Sequence, residues 1–535
     1  MNESQSRNEE SLWQYPYPSR RMPVMGANAV ATSQPLAAQA GLRMLQQGGN
    51  AVDAALATAI ALTVVEPTSN GLGSDAFALV WDGEALTGIN GSGRSPAGWT
   101  PARFADLDTM PVHGWEAVTV PGAVDTWAQL SSRFGNLPFE ALFGPALAYA
   151  AGGYPVSPLT ARRWAEAAET YRDFEAFGAA FLPEGRAPRP GEIFRCPDMA
   201  HTLQEIAATH GESFYRGALA ERIAADAATH GAALNREDLA GHRCEWVTPL
   251  SVAYRDVEVH EIPPNGQGLA ALIALGVLAC FDLGTHPVDS ADSLHLQIEA
   301  MKIGFALAAC HIADPRCMRV TPADLLAPDF LTRQAETIRP DRAAAPAGRL
   351  PFDAGTVYLT AADRHGGMIS MIQSNFTGFG SGVVVPGTGI SLQNRALGFT
   401  LEKNHPNEVG GSKRPYHTII PGFVTRNGQP LLSFGVMGGY MQPQGHLQMV
   451  VRLFDYSQNP QAACDAPRWH IAEDGRISLE PGIPAGIKDE LARRGHVIID
   501  EDPYWGYGGA QLILKQGDVY WAGSDPRKDG QAVVF

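Results

Sequence analysis

The chain has 535 residues, 45% hydrophobic and 18% charged, so most of it must lie inside a compact core rather than in disorder. A net charge of -16, with basic residues scattered rather than clustered, excludes a phosphate-tracking surface and a nucleic-acid partner. The longest apolar run, Leu269 to Phe281, falls short of the roughly 20 residues a bilayer crossing needs, so no membrane span is present and no membrane partner is expected.

In chain order, the acidic, polar start MNESQSRNEESLWQYPYPSRR lacks the basic region and apolar stretch of a secretory signal, and the expected location is cytoplasmic. TSQPLAAQAGLRMLQQGG reads as a helix, with Ser33 and Pro35 as start signals, Leu36, Ala40 and Met44 on one face and Gly48-Gly49 as the stop. Asn50 then caps NAVDAALATAIALTVVE, with Asp53 in the positive first turn; apolar on every side, this predicts a buried helix. AFALVW, Asp82-Gly83 and EALTGIN predict a hairpin. Residues 101–335 are dominated by helical patterns such as SADSLHLQIEAMKIGFALAACHIAD, where Leu294, Ile298 and Met301 share a face. Six separated cysteines, Cys196, Cys244, Cys280, Cys310, Cys317 and Cys464, form no C-x-x-C pair and are expected as reduced core thiols.

Residues 339–354, RPDRAAAPAGRLPFDA, carry three prolines among alanines and charges and read as an exposed linker. Strands follow: TVYLTAAD and MISMIQSN around a turn at 364–367, then TIIPGFVT and PLLSFGV around Asn427-Gly428. The linker therefore meets a strand directly at Gly355-Thr356. A threonine hydroxyl needs a base, and nothing in the next few residues supplies one. Attack of Thr356 on the Gly355 carbonyl, followed by ester hydrolysis, would free the α-amine of Thr356. With a pKa near 7.7 to 8.0, that amine has an appreciable neutral fraction at pH 7 and sits beside the hydroxyl it must deprotonate.

The blocks ATSQPLAAQAGLRMLQQGGNAVDAALATAIALTVVEPTSNGLG, VPGAVDTW, HLQIEAMKIGFA, GTVYLTAAD, FGSGVVVPGTGI, KRPYHTIIPG, GVMGGY and SDPR, in this order over almost the whole chain, resemble the γ-glutamyltranspeptidase family. The resemblance implies an α+β fold, the four-layer αββα sandwich of N-terminal-nucleophile hydrolases. It also implies a proenzyme cut between Gly355 and Thr356 into a large subunit, residues 1–355, and a small subunit, residues 356–535, both serving one domain. A homodimer of such heterodimers is compatible with it. Thr356 matches the family's nucleophile, Gly438 and Gly439 its oxyanion-hole glycines, and Ser374 a threonine that hydrogen-bonds near the nucleophile.

The departures bear on substrate. Ser92 stands where the family's carboxylate-binding arginine is found, with Arg94 two residues on. Gly398 in LQNRALGFT replaces the aspartate that holds the substrate ammonium. His417 and Thr418 replace paired serines, Val357 a second threonine, and Phe376 an asparagine now displaced to Asn375. The candidate substrate-binding residues are thus Arg94, His417, Thr418 and Asn375. GSGRSP, NGLGSDAF and GVMGGYMQPQGH resemble the branch of acylase-like proteins and the oxamate amidohydrolase of purine-nitrogen breakdown. The expected substrate is a small amide bearing a carboxylate, oxamate first. γ-Glutamyl transfer or glutathione hydrolysis, acylase action on a larger amide, and a cleaved but idle binding protein are the alternatives. No cofactor or metal is implied: GFGSGVVVPGTG lacks the lysine of a phosphate loop, and His405, His446 and His470 have no ligand spacing.

Overall fold

The computed structural model describes residues 21–345, 355–500 and 506–535. Near the start, Pro35–Gln46 is helical, but its cap is Gln34, whose side-chain oxygen accepts from the Leu36 and Ala37 amides. Ser33 instead donates to Glu66 at 2.5 Å. Asn50 does cap the helix Ala51–Val65, in a reciprocal capping box with Asp53. Every residue of that helix is buried, which accounts for its uniformly apolar sequence.

Two seven-stranded antiparallel sheets form the centre. One runs in the order Gln531–Val534, Ala29–Thr32, Gly355–Ala362, Met368–Phe376, Asp75–Trp81, Leu86–Asn90, Glu245–Val247. The other runs Val24–Gly26, Val519–Ser524, Gly509–Gln516, Gln429–Met437, Gly422–Arg426, Val257–Glu261, Leu250–Tyr254. Phe77, Leu79, Tyr358, Ile372, Phe423 and Ile513 pack between them. Helices including Pro35–Gln46 and Ala51–Val65 cover the first sheet, and Gly268–Leu278, Ala291–His311 and Met441–Phe454 cover the second. The result is the four-layer αββα sandwich. The hairpin Gly355–Ala362/Met368–Phe376 lies between Ala29–Thr32 and Asp75–Trp81, so segments from both sides of residue 355 build one domain.

Three expectations change. The helical middle also contains the hairpin Leu250–Tyr254/Val257–Glu261. The first part of the linker is held: Ala343 N donates to Arg494 O at 2.7 Å, and Ala344 bonds Glu299 and Lys302. Residues 346–354 of that linker lie outside the described ones. Finally, Cys280 and Cys310 are exposed rather than core thiols, while Cys196 and Cys464 are buried.

One buried ion pair yields a stability prediction. Arg468 and Asp525 meet at 2.5 Å with both side chains fully buried. Burial pushes the Asp525 carboxyl up, but Arg468 and Arg527 override it and hold it at about 2. A depressed carboxyl contributes stability above its ordinary pKa near 3.9, and this is lost as pH falls through the folded value. Asp525→Asn leaves Arg468 uncompensated and should cost about 3–5 kcal/mol at pH 7. Denaturant melts at pH 7 and pH 2.5 check this: the gap between wild type and variant should narrow in acid, and an equal gap at both would refute it.

Candidate active site

Thr356 sits on an irregularity of its strand. Gly355 pairs with Phe376 and Val357 with Gln373, so the register slips across Thr356 and re-aims its side chain. The residue is 2% exposed. Its Oγ1 lies 3.2 Å from Ser374 Oγ, which donates to the Gly355 carbonyl at 2.8 Å and accepts from Phe376 N at 2.8 Å. With the Ser374 proton on Gly355 O, the Thr356 hydroxyl is the donor of the 3.2 Å bond. The serine thereby polarises the carbonyl preceding Thr356 while orienting the threonine.

The second sheet faces this strand in a fixed step. Thr360 meets Ser433 at 2.7 Å, and Gly435 packs against the Tyr358 ring. The strand Gln429–Met437, which carries Ser433 and Gly435, runs directly into the turn Gly438-Gly439. Both glycines have positive φ, 115° and 54°, which disfavours any other residue there. The turn opens the helix Met441–Phe454, so its amides lie in the positive end of that helix. Gln267 Nε2 donates to both Gly439 O and Thr418 O, tying the turn to the next part of the site.

That part is a buried charged cluster around Arg395. The Arg395 side chain is fully buried; its Nη1 donates to Thr418 Oγ1 at 2.8 Å, and its guanidinium lies 4.3 Å from the centre of the Phe376 ring. Its Nε and Nη2 have no hydrogen-bond partner. Burial lowers its pKa to about 10 against the opposing pull of Asp75, 3.9 Å away. Asp75 is raised to about 7 by burial despite Arg395 and the amides of Gly93 and Gly122. His417 Nε2 lies 3.0 Å from Asp75, and its Nδ1 accepts from Ile419 N, so Nε2–H donates. Burial, with Arg395 and Arg414 nearby, keeps this imidazole neutral, its pKa well below the usual value.

A chain of contacts runs from Thr356 through Ser374, Phe376, Arg395, Thr418 and Gln267 to Gly439, with His417 joined to it through Asp75, and Arg94 is not part of it. Arg94 turns outward onto Asp314 at 2.7 Å and Glu245 at 3.0 Å, and both of its terminal nitrogens are occupied. Asn375 is buried nearby, but its amide is taken by Ser74 and Ser391, which makes it a brace of the loop. Gly398 lies so close to the Tyr416 carbonyl that a β-carbon would stand 2.2 Å from it, leaving no room for an acid. The residue missed from sequence is Arg395, three positions before Gly398 in the same block. An arginine in a segment otherwise free of charge, LQNRALGFT, was the available signal. Arg94→Ala should leave amide turnover within about threefold while lowering stability by about 1–2 kcal/mol, because Asp314 keeps Arg316 as a partner. Parallel kinetics and melts check this.

Two trios could present ligands to a metal, Asp125–His242–Cys244 and His295–Glu299–His496. In the second, His295 is bonded to His496 and Arg339 O, and Glu299 to Lys302 and Ala344 N, so hydrogen bonds already use the ligand atoms. Neither touches Thr356. Among the described residues no helix is long and apolar enough to cross a membrane.

An αββα sandwich with a buried threonine near the start of a central strand, and with a glycine turn leading from the facing sheet into a helix, has the architecture of the N-terminal-nucleophile hydrolases. The model of the γ-glutamyltranspeptidase family matches residues 37–535, and the chain belongs to that family. It is a hydrolase acting on amide C–N bonds. It is 35% identical over 509 residues to a glutathione hydrolase-like proenzyme, YwrD, of Bacillus subtilis, covering 93% of this chain and 96% of the relative. It is 34% identical over 518 residues to the oxamate amidohydrolase proenzyme of Klebsiella pneumoniae, covering 94% and 97%. The crystal structure of a cephalosporin acylase from Bacillus halodurans matches with a TM-score of 0.94 at 48% identity, covering 98% of each chain.

Proposed function

We propose that the protein cleaves itself between Gly355 and Thr356 and then hydrolyses a small amide whose acyl group carries a carboxylate and no ammonium. Relatives that are proenzymes support the processing, and so does the Ser374 bond to the Gly355 carbonyl. Thr356 Oγ attacks that carbonyl, the Gly355–Thr356 C–N bond breaks as the nitrogen takes the proton, and water hydrolyses the ester. Catalysis repeats the chemistry on substrate. The Thr356 α-amine takes the hydroxyl proton and delivers it to the leaving nitrogen, then activates the water that releases the acyl group. The Gly438 and Gly439 amides hold the oxyanion, each worth about 3–4 kcal/mol in such sites.

The observation that carries the substrate class is Arg395: a buried cation whose Nη2 makes no hydrogen bond and whose Nε meets Asp75 only at 3.9 Å is poised for a carboxylate. The carboxylate beside it, Asp75, is engaged by His417, Gly93 and Gly122, so a substrate ammonium finds no free acid there. Oxamate is the smallest molecule of the required kind. Ammonia release from oxamate and p-nitroaniline release from a γ-glutamyl anilide, compared on one preparation, test this. Oxamate should have the higher kcat/KM; a far higher value for the anilide means glutathione hydrolase or transferase action, and no turnover of any small amide means an idle binding protein. A second reading, acylase action on a larger amide, is favoured by the 48% identity to the cephalosporin acylase and predicts turnover of long carboxyacyl amides above that of oxamate.

A further inference from the structure

Apart from the Arg395 cluster, a cavity of about 940 Å³ opens behind the loop that follows Phe376. Its walls include Trp115, Phe174 and His113, and the carboxylates of Glu175, Asp198 and Asp226; no lysine or arginine lines it. The rim Gly382–Val384 belongs to that loop, which Tyr171 holds by donating to Gly380 O at 3.1 Å. The His113 ring lies 5.4 Å from Tyr171 and 6.1 Å from Phe174, and its burial lowers its pKa, so it presents a neutral ring. Trp115 is buried, 7% exposed, and its indole N–H is turned toward the Asp226 carboxylate. Glu175 and Asp198 have no ion-pair partner among the described residues; the nearby Arg103 is neutralised by Glu116 at 2.7 Å, and Arg222 donates to Pro386 O at the cavity edge. Burial raises the Asp226 carboxyl against the opposing pull of His230, 3.8 Å away on the same wall, and of the Trp115 N–H.

Aromatic walls attract cations through the ring quadrupole, and unpaired carboxylates in a half-enclosed space add to this far more than they do in open water. We propose that this cavity binds an organic cation, a primary ammonium carried on a flat apolar body.

Calorimetry on the processed two-chain protein, with benzylamine and benzyl alcohol as probes, tests it. Benzylamine should bind at least about tenfold more tightly than the neutral alcohol. Asp226→Asn, and separately Glu175→Gln with Asp198→Asn, should each weaken benzylamine by about tenfold while amide turnover stays within about twofold of wild type. The exposed double variant keeps the test valid if Asp226→Asn impairs folding. Binding should persist in Arg395→Ala. Equal binding of the alcohol, undiminished binding in both carboxylate variants, or loss in Arg395→Ala would each overturn the assignment, the last by placing the amine in the catalytic site.

Discussion

Thr356→Ala should yield a single chain of 57.2 kDa without amidase activity, whereas the wild type separates under denaturing conditions into two chains, the smaller beginning at Thr356. The substitution removes the attacking oxygen from both reactions, and loss of a nucleophile of this kind typically costs on the order of 10⁴ or more in kcat. Thr356→Ser keeps the oxygen but loses the methyl that fixes its rotamer, so it should process and turn over more slowly. Ser374→Ala separates the two roles. It removes the proton on Gly355 O and the acceptor for the Thr356 hydroxyl, and should slow chain cleavage by on the order of 10–100-fold. Intact mass spectrometry and the N-terminal sequence of the small chain are the measurements. A processed Thr356→Ala protein would show that another residue or a protease makes the cut. If the proposed α-amine of Thr356 is the base, active when neutral, kcat/KM should rise with pH through about 7.7–8 and then level off.

The parts of this fold written in local chemistry were legible in the sequence. Asn50 with Asp53 marks a helix start that the structure keeps, and Asp82-Gly83 and Asn427-Gly428 mark hairpins because their residues tolerate positive φ. Gly355-Thr356 was legible as the meeting of a linker and a strand. The hairpin at 250–261 carries a period-2 pattern in VEVHE, with Val257 and Val259 inward and Glu258 outward, but it is a short signal inside a stretch dominated by helical patterns. Site residues divide in the same way. Thr356, Gly438 and Gly439 are proposed for the site from the blocks they stand in, but a cation's partner is set by topology. Arg94 stood near the expected position in sequence, yet its guanidinium reaches Asp314, 220 residues away, while Arg395 is drawn inward onto Thr418 and Phe376.

Arg395→Ala is therefore expected to abolish recognition of the acyl carboxylate while sparing the chemistry. Removing a charge-assisted, two-nitrogen hydrogen bond from a buried site costs about 3–4 kcal/mol, so kcat/KM on oxamate should fall by on the order of 10²–10³. Acetamide, which has no carboxylate, should be hydrolysed poorly but equally by both proteins. Arg395→Lys should recover only part of the loss, because an ammonium on a flexible stem cannot present the planar fork. The variant should still fold and cleave itself. With Arg395 gone, the Asp75 carboxyl, which burial already raises to about 7, loses its main opposing charge and takes up a proton instead of remaining as an isolated anion. Self-cleavage thus reports an intact site, and oxamate kinetics report the receptor. If Arg395→Ala cleaves itself and still hydrolyses oxamate at the wild-type rate while Arg94→Ala does not, the carboxylate is bound at Arg94, and the guanidinium over Phe376 serves only to balance Asp75.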